Sequence, residues 1–288
     1  MATEPLALVA SSGAELTALD ALQSAPGRRR RLAERVWSAL WPRLAGVALA
    51  LLAWQLVVLS GWRPDYLLPG PVPVLHRLAS DLAQPLFYGA VVTTLERAAW
   101  GYALAILIGG AAGVLVARNR VLRAAAGSLI TGLQSMPSIA WFPLAILLFG
   151  LSEGAIGFVV LLGAAPAIAN GLISGLDQVP PLLLRSGRAM GAGRVQLFRH
   201  VLLPASLPAF VGGLRQGWAF AWRSLMAGEL LVIVSNHPSL GVRLQLARET
   251  ADAEGLLAAM LVVLLIGMAV EVVFSTADGA IRRRRGLA

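Results

Sequence analysis

The sequence contains no cysteine and no lysine, and it has only 3 histidines in 288 residues. Without cysteine, no disulfide, thiolate metal site or cysteine nucleophile is possible. Without lysine, the chain lacks the lysine of phosphate-binding loops, so we do not expect it to hydrolyse ATP by itself. The histidines, at positions 76, 200 and 237, are too far apart in sequence to predict a zinc site. The sequence therefore predicts no metal ligand and no catalytic residue.

Charged residues are also scarce, at 14% of the chain, whereas apolar residues make up 57%. A soluble domain is about 45–50% apolar and about 25% charged. The mean hydropathy is +0.73, which argues against a soluble enzyme. The net charge is +9 and every basic residue is an arginine. In a chain this apolar, a basic balance predicts contact with membrane lipid and not with nucleic acid.

Six apolar segments predict transmembrane helices, because a helix that crosses the hydrocarbon layer needs about 20 mostly apolar residues. The fold class that we expect is therefore an all-α integral membrane bundle. The six segments lie at about 44–61, 89–116, 125–149, 155–175, 207–234 and 256–275.

The arginines predict the orientation of these helices. Most of them fall in segments 28–43, 118–123, 185–199 and 282–285. Under the positive-inside rule these segments face the cytoplasm, so both termini are expected there, which agrees with an even number of spans. We accordingly expect three parts, which are a cytoplasmic, largely disordered tail at 1–42, a transmembrane domain at 43–281 and a basic tail at 282–288.

The longest cytoplasmic loop, at about 176–206, carries the most informative pattern. Pro180-Pro181 is expected to end the preceding helix, and the apolar spacing that follows predicts two short amphipathic helices. Gly191-Ala192-Gly193 predicts a tight turn between them. Pro204 and Pro208 are expected to interrupt the chain before the fifth apolar segment. The pattern alone fits either an interfacial helix that binds lipid phosphates or a docking element for a cytoplasmic partner.

This loop resembles the signature loop of the permease subunits of bacterial ABC importers. The family pattern begins with Glu-Ala-Ala, has a central glycine and ends with an aliphatic residue and proline. Here Gly191 takes the central position and Leu203-Pro204 the end, whereas Arg185-Ser186-Gly187 replaces Glu-Ala-Ala. Further matches point to the nitrate, taurine, aliphatic sulfonate and bicarbonate branch. They are 67–78, the residues Thr94, Arg97 and Gly101, the stretch 136–160, the pair Trp222 and Glu229, and 239–249.

The resemblance implies a type I importer permease in the bacterial inner membrane. Such a chain pairs with a second permease subunit, most simply in a homodimer, and a solute-binding protein delivers substrate from outside. Two cytoplasmic ATPase subunits hold ATP and magnesium, so the chain itself carries no cofactor and is not an enzyme. The ATPase-coupling residues implied are Arg185, Ser186, Gly187, Gly191, Ala192, Gly193, Phe198, Leu203 and Pro204.

Polar or helix-breaking residues inside the bundle are the candidates for the substrate pathway, because such residues are costly in lipid. Arg223 suits a small oxyanion, since a guanidinium offers a planar fork of donors. A structural ion pair with Glu229 or Glu271, or a bond to a helix carbonyl, is the alternative role for Arg223. Glu229 itself is expected to pair with Arg97 or Arg243. The candidate pathway residues are Arg223, Trp222, Glu229, Met136, Pro137 and Asn170.

The predicted function is therefore uptake of a small oxyanion, with aliphatic sulfonate or taurine ahead of nitrate and bicarbonate. The alternative is a secondary transporter or channel that needs no ATPase. The loop at 185–204 argues against this alternative.

Overall fold

The computed structural model describes residues 28–234 and 237–284. The chain divides into two units, one that ends at Asp65 and one that begins at Tyr66. The first unit contains helix α1 (Arg28–Leu59), which includes Pro42 and an apolar stretch, Leu44–Leu59. Helix α1 begins inside the segment predicted to be a tail, while residues 1–27 and 285–288 of the predicted tails lie outside the described residues.

The second unit consists of helices joined by short connections, and the described residues of the chain contain no β-strand. This confirms the predicted all-α fold class. Its helices are α2 (Pro71–Leu82), α3 (Pro85–Arg118), α4 (Arg120–Ser135), α5 (Phe142–Phe149), α6 (Glu153–Asp177), α7 (Pro181–Ala189), α8 (Arg194–Leu197), α9 (Leu203–Leu231), α10 (Leu240–Glu249) and α11 (Ala253–Arg284).

Among the described residues, four helical segments are long and apolar enough to cross a membrane, where six were predicted. Helix α4 and the segment Ser138–Phe149 meet at an angle of 102°. They form a fifth candidate span only if this bent pair is counted as one span. Pro137 lies at this bend, and a proline cannot supply the N–H that would continue a helix. The stretch Leu44–Leu59 is shorter than a full span. The four segments are Pro85–Ala117, Glu153–Asp177, Arg194–Leu231 and Ala253–Ile281.

Helix α6 packs against both α3 and α9, and glycines allow its backbone to approach theirs. A side chain on Gly109 would collide with the Ala165 carbonyl oxygen, and one on Gly171 would collide with the Gly213 Cα. Each of these glycines has another glycine four residues further along the same helix, Gly113 and Gly175, and both of these also lie close to the facing helix. Close approach of this kind increases the dispersion contacts that hold helices together in lipid.

Adding one methyl group to α9 is expected to test this contact. A Cβ on Gly213 would lie 2.7 Å from the Gly171 Cα, whereas a Cβ on Gly212 would meet nothing within 4 Å. We expect Gly213→Ala to destabilise the protein by about 1–3 kcal/mol through overpacking. Gly212→Ala should be neutral or slightly stabilising, because alanine is the better helix former. Thermal unfolding in detergent measures both, and equal midpoints would contradict the assigned packing.

The entry into α9 differs from the prediction that Pro204 and Pro208 interrupt the chain. Helix α8 continues through a π-helical turn, Phe198–Leu202, directly into α9, and Pro208 lies inside α9. The Leu203 N–H bonds to the Phe198 carbonyl, five residues back. The wider turn shifts the hydrogen-bond register just before Pro204, so the backbone accommodates a missing donor without ending the helix.

Candidate functional site

The turn between α7 and α8 is a complete helix-termination motif. Gly191 has a φ of +83°, and its N–H donates to the Arg188 carbonyl at 2.9 Å. The Ala192 N–H donates to the Gly187 carbonyl at 3.0 Å. These two bonds define a Schellman motif, in which a left-handed residue, usually glycine, satisfies the last carbonyls of a helix. The predicted tight turn is therefore confirmed, and its shape depends on Gly191.

Helices α7 and α8 then fold back on each other through Gly187. This glycine is buried, and an added Cβ would lie 2.6 Å from the Leu197 Cδ1. The Gly193 N–H donates to the Gln196 Oε1 at 2.9 Å and so starts α8. A larger side chain at position 187 would push the two helices apart, which explains why a glycine is suitable there.

The outer face of this helix pair is apolar and basic. Leu182, Leu183, Met190 and Val195 are exposed large hydrophobic side chains. A groove of about 450 Å³ runs between α7 and the start of α9. We give α7, α8 and the π turn after α8 the name coupling segment (181–202), after the role that the sequence resemblance predicts for them. Of the predicted coupling residues, Ser186, Gly187 and Pro204 line the groove, while Arg185, Gly191 and Gly193 are exposed, Ala192 and Phe198 are half-buried, and Leu203 is 40% exposed.

A second feature is a cavity at the bend between α4 and α5, which we call the break cavity. Its volume is about 300 Å³. It brings together three predicted pathway residues, Met136, Pro137 and Arg223, although they come from different parts of the chain. Gln134 and Gly163 also line it.

Arg223 is the charged residue of the break cavity, and it is exposed in the single chain. Its Nε donates to the Ala219 carbonyl at 3.0 Å, and its guanidinium carbon lies 5.0 Å from the centre of the Phe220 ring. In the described part of the chain no carboxylate pairs with Arg223, because Glu271 pairs with Arg215 instead. Of the predicted alternatives for Arg223, the structure therefore supports the bond to a carbonyl.

Trp222 lies beside a larger groove between α9 and α11, with a volume of about 510 Å³. Its indole is stacked on that of Trp218, with the ring centres 5.9 Å apart. Met226 and Met260 complete an apolar wall, and Arg223 lines this groove as well as the break cavity. Arg223 therefore stands between two open spaces.

Glu229 is fully buried and belongs to a separate polar cluster. It accepts bonds from the Thr94 hydroxyl at 3.0 Å, from the Arg97 Nη1 at 3.0 Å and from the Gly241 N–H at 2.9 Å. Arg97 also pairs with Glu153. The predicted pairing of Glu229 with Arg97 is confirmed. We call these residues, from α3, α6, α9 and α10, the Glu229 cluster.

The cluster ties the start of α10 to two long helices. The Leu240 N–H donates to the Thr94 oxygen at 2.9 Å, next to the bond between Gly241 and Glu229. A carboxylate is favoured at a helix N-terminus because the first N–H groups carry partial positive charge. Glu229 thus holds structural elements together and lines neither the break cavity nor the groove between α9 and α11.

Asn170 lies half-buried on α6 and does not line the break cavity. Gln134 lines this cavity although it was not among the predicted pathway residues. A lone amide two residues before Met136-Pro137, inside an apolar segment, was the signal that could have identified it.

Comparison with known proteins agrees with this architecture. A probable ABC transporter permease protein of Brucella melitensis is 28% identical over 82% of this chain and 96% of its own length. The nitrate import permease protein of Synechocystis is 28% identical over 65% of this chain and 70% of its own. The taurine transport system permease protein of Escherichia coli is 26% identical over 78% and 82%, respectively.

Among solved structures, one chain of the methionine ABC transporter MetNI in an inward-facing conformation has the same fold. It superimposes with a TM-score of 0.59 at 22% identity, covering 68% of this chain and 96% of that one. The family model for the binding-protein-dependent transport system inner membrane component matches residues 101–286, which is more than half of the sequence. The chain therefore belongs to this family of ABC transporter permease subunits, which are multi-pass inner membrane proteins and not enzymes.

Proposed function

We propose that this chain forms the substrate pathway of an ATP-driven importer and that the coupling segment binds a separate cytoplasmic ATPase. The observation that carries this proposal is the exposed apolar and basic face of α7 and α8, held in shape by the Schellman turn at Gly191. An apolar patch with a charged rim is typical of a protein–protein contact. A lipid-binding helix would not need a second helix locked against it by Gly187 and Leu197.

This assignment also gives an orientation. Because ATP is cytoplasmic, the coupling segment faces the cytoplasm, and α10 lies at the other end of α9 and faces outward. The arginine distribution supports the same orientation, with both termini inside. We propose two copies of this chain and two ATPase subunits in the complex, and a solute-binding protein that docks near α10.

The proposed substrate is a small oxyanion, with aliphatic sulfonates and taurine ahead of nitrate and bicarbonate. Relatives whose names specify nitrate and taurine support this class. Arg223 supports it independently, because it lines the break cavity and no acidic residue among those described lines that space. A guanidinium presents two parallel N–H donors, which match two oxygens of a nitrate or sulfonate group.

Deletion of residues 186–199 tests the coupling. Full-length protein, tagged and purified gently from its own membrane, is expected to retain a nucleotide-hydrolysing partner, and the deletion is expected to lose it. Mass spectrometry and ATP hydrolysis of the eluate are the measurements. The matched control removes the exposed Glu249 carboxylate, as Glu249→Gln, at the opposite end of the bundle.

A preparation that transports without any ATPase would refute the proposal and indicate a secondary transporter. Retention of the ATPase by the deletion variant would show that the contact lies elsewhere on the chain. A co-purified solute-binding protein would provide a direct means to identify the substrate.

A further inference from the structure

The coupling segment carries positive charge that the chain does not neutralise. It contains four arginines, at positions 185, 188, 194 and 199, and no aspartate or glutamate. All four are exposed, and within the described residues none of them forms an ion pair. The nearest acidic residues along the chain are already used, because Asp177 pairs with Arg123 and Glu229 pairs with Arg97. Neutralisation of this segment therefore requires a partner from outside the chain.

Two of these arginines share one face of α7. Arg185 and Arg188 are three residues apart, so they point about 60° apart around the helix axis. The groove beside α9 lies on the opposite side, because Leu183 and Gly187, which line it, are each about 160° from Arg185. Leu182 is 71% exposed and lies next to Arg185 on the outer side. We call the surface of Leu182, Arg185 and Arg188 the basic face.

The direction of the basic face is fixed by the fold. Gly187 packs α7 against Leu197 of α8 so closely that an added Cβ would lie 2.6 Å from the Leu197 Cδ1. The Schellman turn at Gly191 sets the path from one helix to the next. Helix α7 therefore cannot rotate about its own axis without losing these contacts. A charged face with a fixed direction and an exposed leucine suits a protein cleft, whereas a layer of lipid headgroups requires no fixed direction.

Arg185 also reverses the charge that the family pattern has at its position. The pattern begins with glutamate there, and this chain has arginine. A cleft suited to a glutamate offers a cation or N–H donors, and a guanidinium placed against such groups is repelled or left without an acceptor. Like charges that meet in a protein contact are strongly unfavourable. The partner of this chain therefore needs acceptors of negative charge at the matching position.

We propose that the coupling segment binds an ATPase whose docking cleft presents carboxylates to the basic face, and that Arg185 selects this ATPase over one suited to glutamate at this position. This inference rests on the proposed function, because it specifies the chemistry of the partner that the coupling segment binds. A carboxylate accepts two parallel N–H bonds from one guanidinium, which gives the contact direction as well as strength. Repulsion of an unsuitable ATPase contributes to specificity as much as attraction to the correct one.

Charge reversal at position 185 tests the proposal on the full-length protein purified from its own membrane. The co-purified ATPase is washed off with salt and added back, and its affinity is measured at several salt concentrations. We expect Arg185→Gln to weaken ATPase binding about fivefold and Arg185→Glu to weaken it by more than about tenfold, because the second change adds repulsion. Wild-type affinity should fall as salt screens the charges, and this dependence should be weaker in Arg185→Gln.

Arg248→Glu is the matched control. Arg248 is an exposed arginine in the last turn of α10, so its reversal changes the net charge equally but leaves the coupling segment intact. We expect wild-type ATPase binding for this variant. The thermal midpoint of each variant in detergent checks that the fold is unchanged, which is expected because both side chains are exposed.

A cross-link identifies the residues that face the basic face. Because the chain contains no cysteine, Arg185→Cys provides a single attachment point for a thiol-reactive photo-cross-linker. We expect mass spectrometry of the cross-linked complex to find ATPase peptides that contain aspartate or glutamate at the attachment site. Attachment to a site that contains only lysine or arginine as charged residues would overturn the proposal.

Two further outcomes would overturn it. Wild-type ATPase binding by Arg185→Glu would refute the charge assignment and leave the proposed function intact. If phosphatidylglycerol vesicles, compared with phosphatidylcholine vesicles, raise the thermal midpoint of the wild type and Arg185→Glu removes only this increase, the basic face binds lipid headgroups instead. Absence of any ATPase from the wild-type preparation would overturn the proposed function, and this inference with it.

Discussion

Arg97→Leu is expected to destabilise the protein by about 3–5 kcal/mol, because it leaves a buried carboxylate without its cation. Glu229 is fully buried and the Arg97 side chain is 8% exposed, so water cannot replace the lost partner. The remaining donors to Glu229, from Thr94 and Gly241, are neutral. We expect the variant to give little folded protein in membranes and a strongly lowered unfolding midpoint in detergent.

Two milder changes keep this prediction measurable if Arg97→Leu fails to fold. Thr94→Val removes the hydroxyl that donates to Glu229 and accepts from the Leu240 N–H, and should cost about 1–3 kcal/mol. Glu153→Gln removes the partner of Arg97 that is 46% exposed, and should cost less than about 1 kcal/mol. The free energy of unfolding in a detergent titration is the measurement. Equal effects for Glu153→Gln and Thr94→Val would show that the Glu229 cluster does not hold α10 in place.

Gly191→Val is expected to uncouple the transporter while leaving the transmembrane helices folded. A β-branched residue is a strong outlier at the φ of +83° that Gly191 adopts. The strain of about 1–3 kcal/mol is relieved if the turn opens, and α7 and α8 then lose their mutual orientation. Since 1.4 kcal/mol is a factor of ten in an equilibrium constant, affinity for the ATPase should fall about tenfold or more. ATPase binding to the purified protein, together with uptake, measures the effect.

Gly150→Val is the matched control for this prediction. Gly150 has a φ of +66° at the end of α5, and a Cβ there would meet nothing within 4 Å. Valine is therefore also strained there, because a φ of 66° with a ψ of −165° is essentially restricted to glycine. This strain lies near the start of α6, whereas the coupling segment follows its end. We expect Gly150→Val to lower thermal stability and to preserve ATPase binding. If both variants lose ATPase binding equally, the effect of Gly191→Val is loss of the fold and not of the docking surface.

Local features of the structure were predictable from the sequence. Pro180-Pro181 and Gly191 act on their own backbone, because proline lacks an N–H and glycine accepts a left-handed φ. Their effects on the helix ends therefore do not depend on tertiary contacts. The end of α6 at Asp177 and the turn after α7 follow from these residues. The prediction that Pro204 and Pro208 interrupt the chain was wrong, because a π-helical turn accommodates Pro204 and Pro208 lies inside α9. Such a register shift has no simple sequence signature.

Features that depend on tertiary contacts were predicted less well. Arg97 was one of the two partners expected for Glu229, since charged residues inside the membrane pair with one another. Among the described residues, the Gln134 Nε2 and the Ser224 Oγ are buried without a hydrogen-bond partner. This could not be predicted, because a missing partner is a property of the packed structure and not of the residue. Pro137 was selected as a helix-breaking residue, but 125–149 was predicted as one span, and the angle of 102° at the break could not be predicted from the proline alone.

The contact between Gly171 and Gly213 also has a mechanical consequence. Two helices that touch through bare backbone have no interlocking side chains at that point, so the crossing can serve as a fulcrum for α9. Arg223 lies ten residues beyond Gly213, and Leu203 lies ten residues before it, so each is about 15 Å away along the axis. The two arms of this lever are equal. A tilt that moves the Leu203 end of α9 by a given distance would therefore move the backbone at Arg223 by about the same distance in the opposite direction.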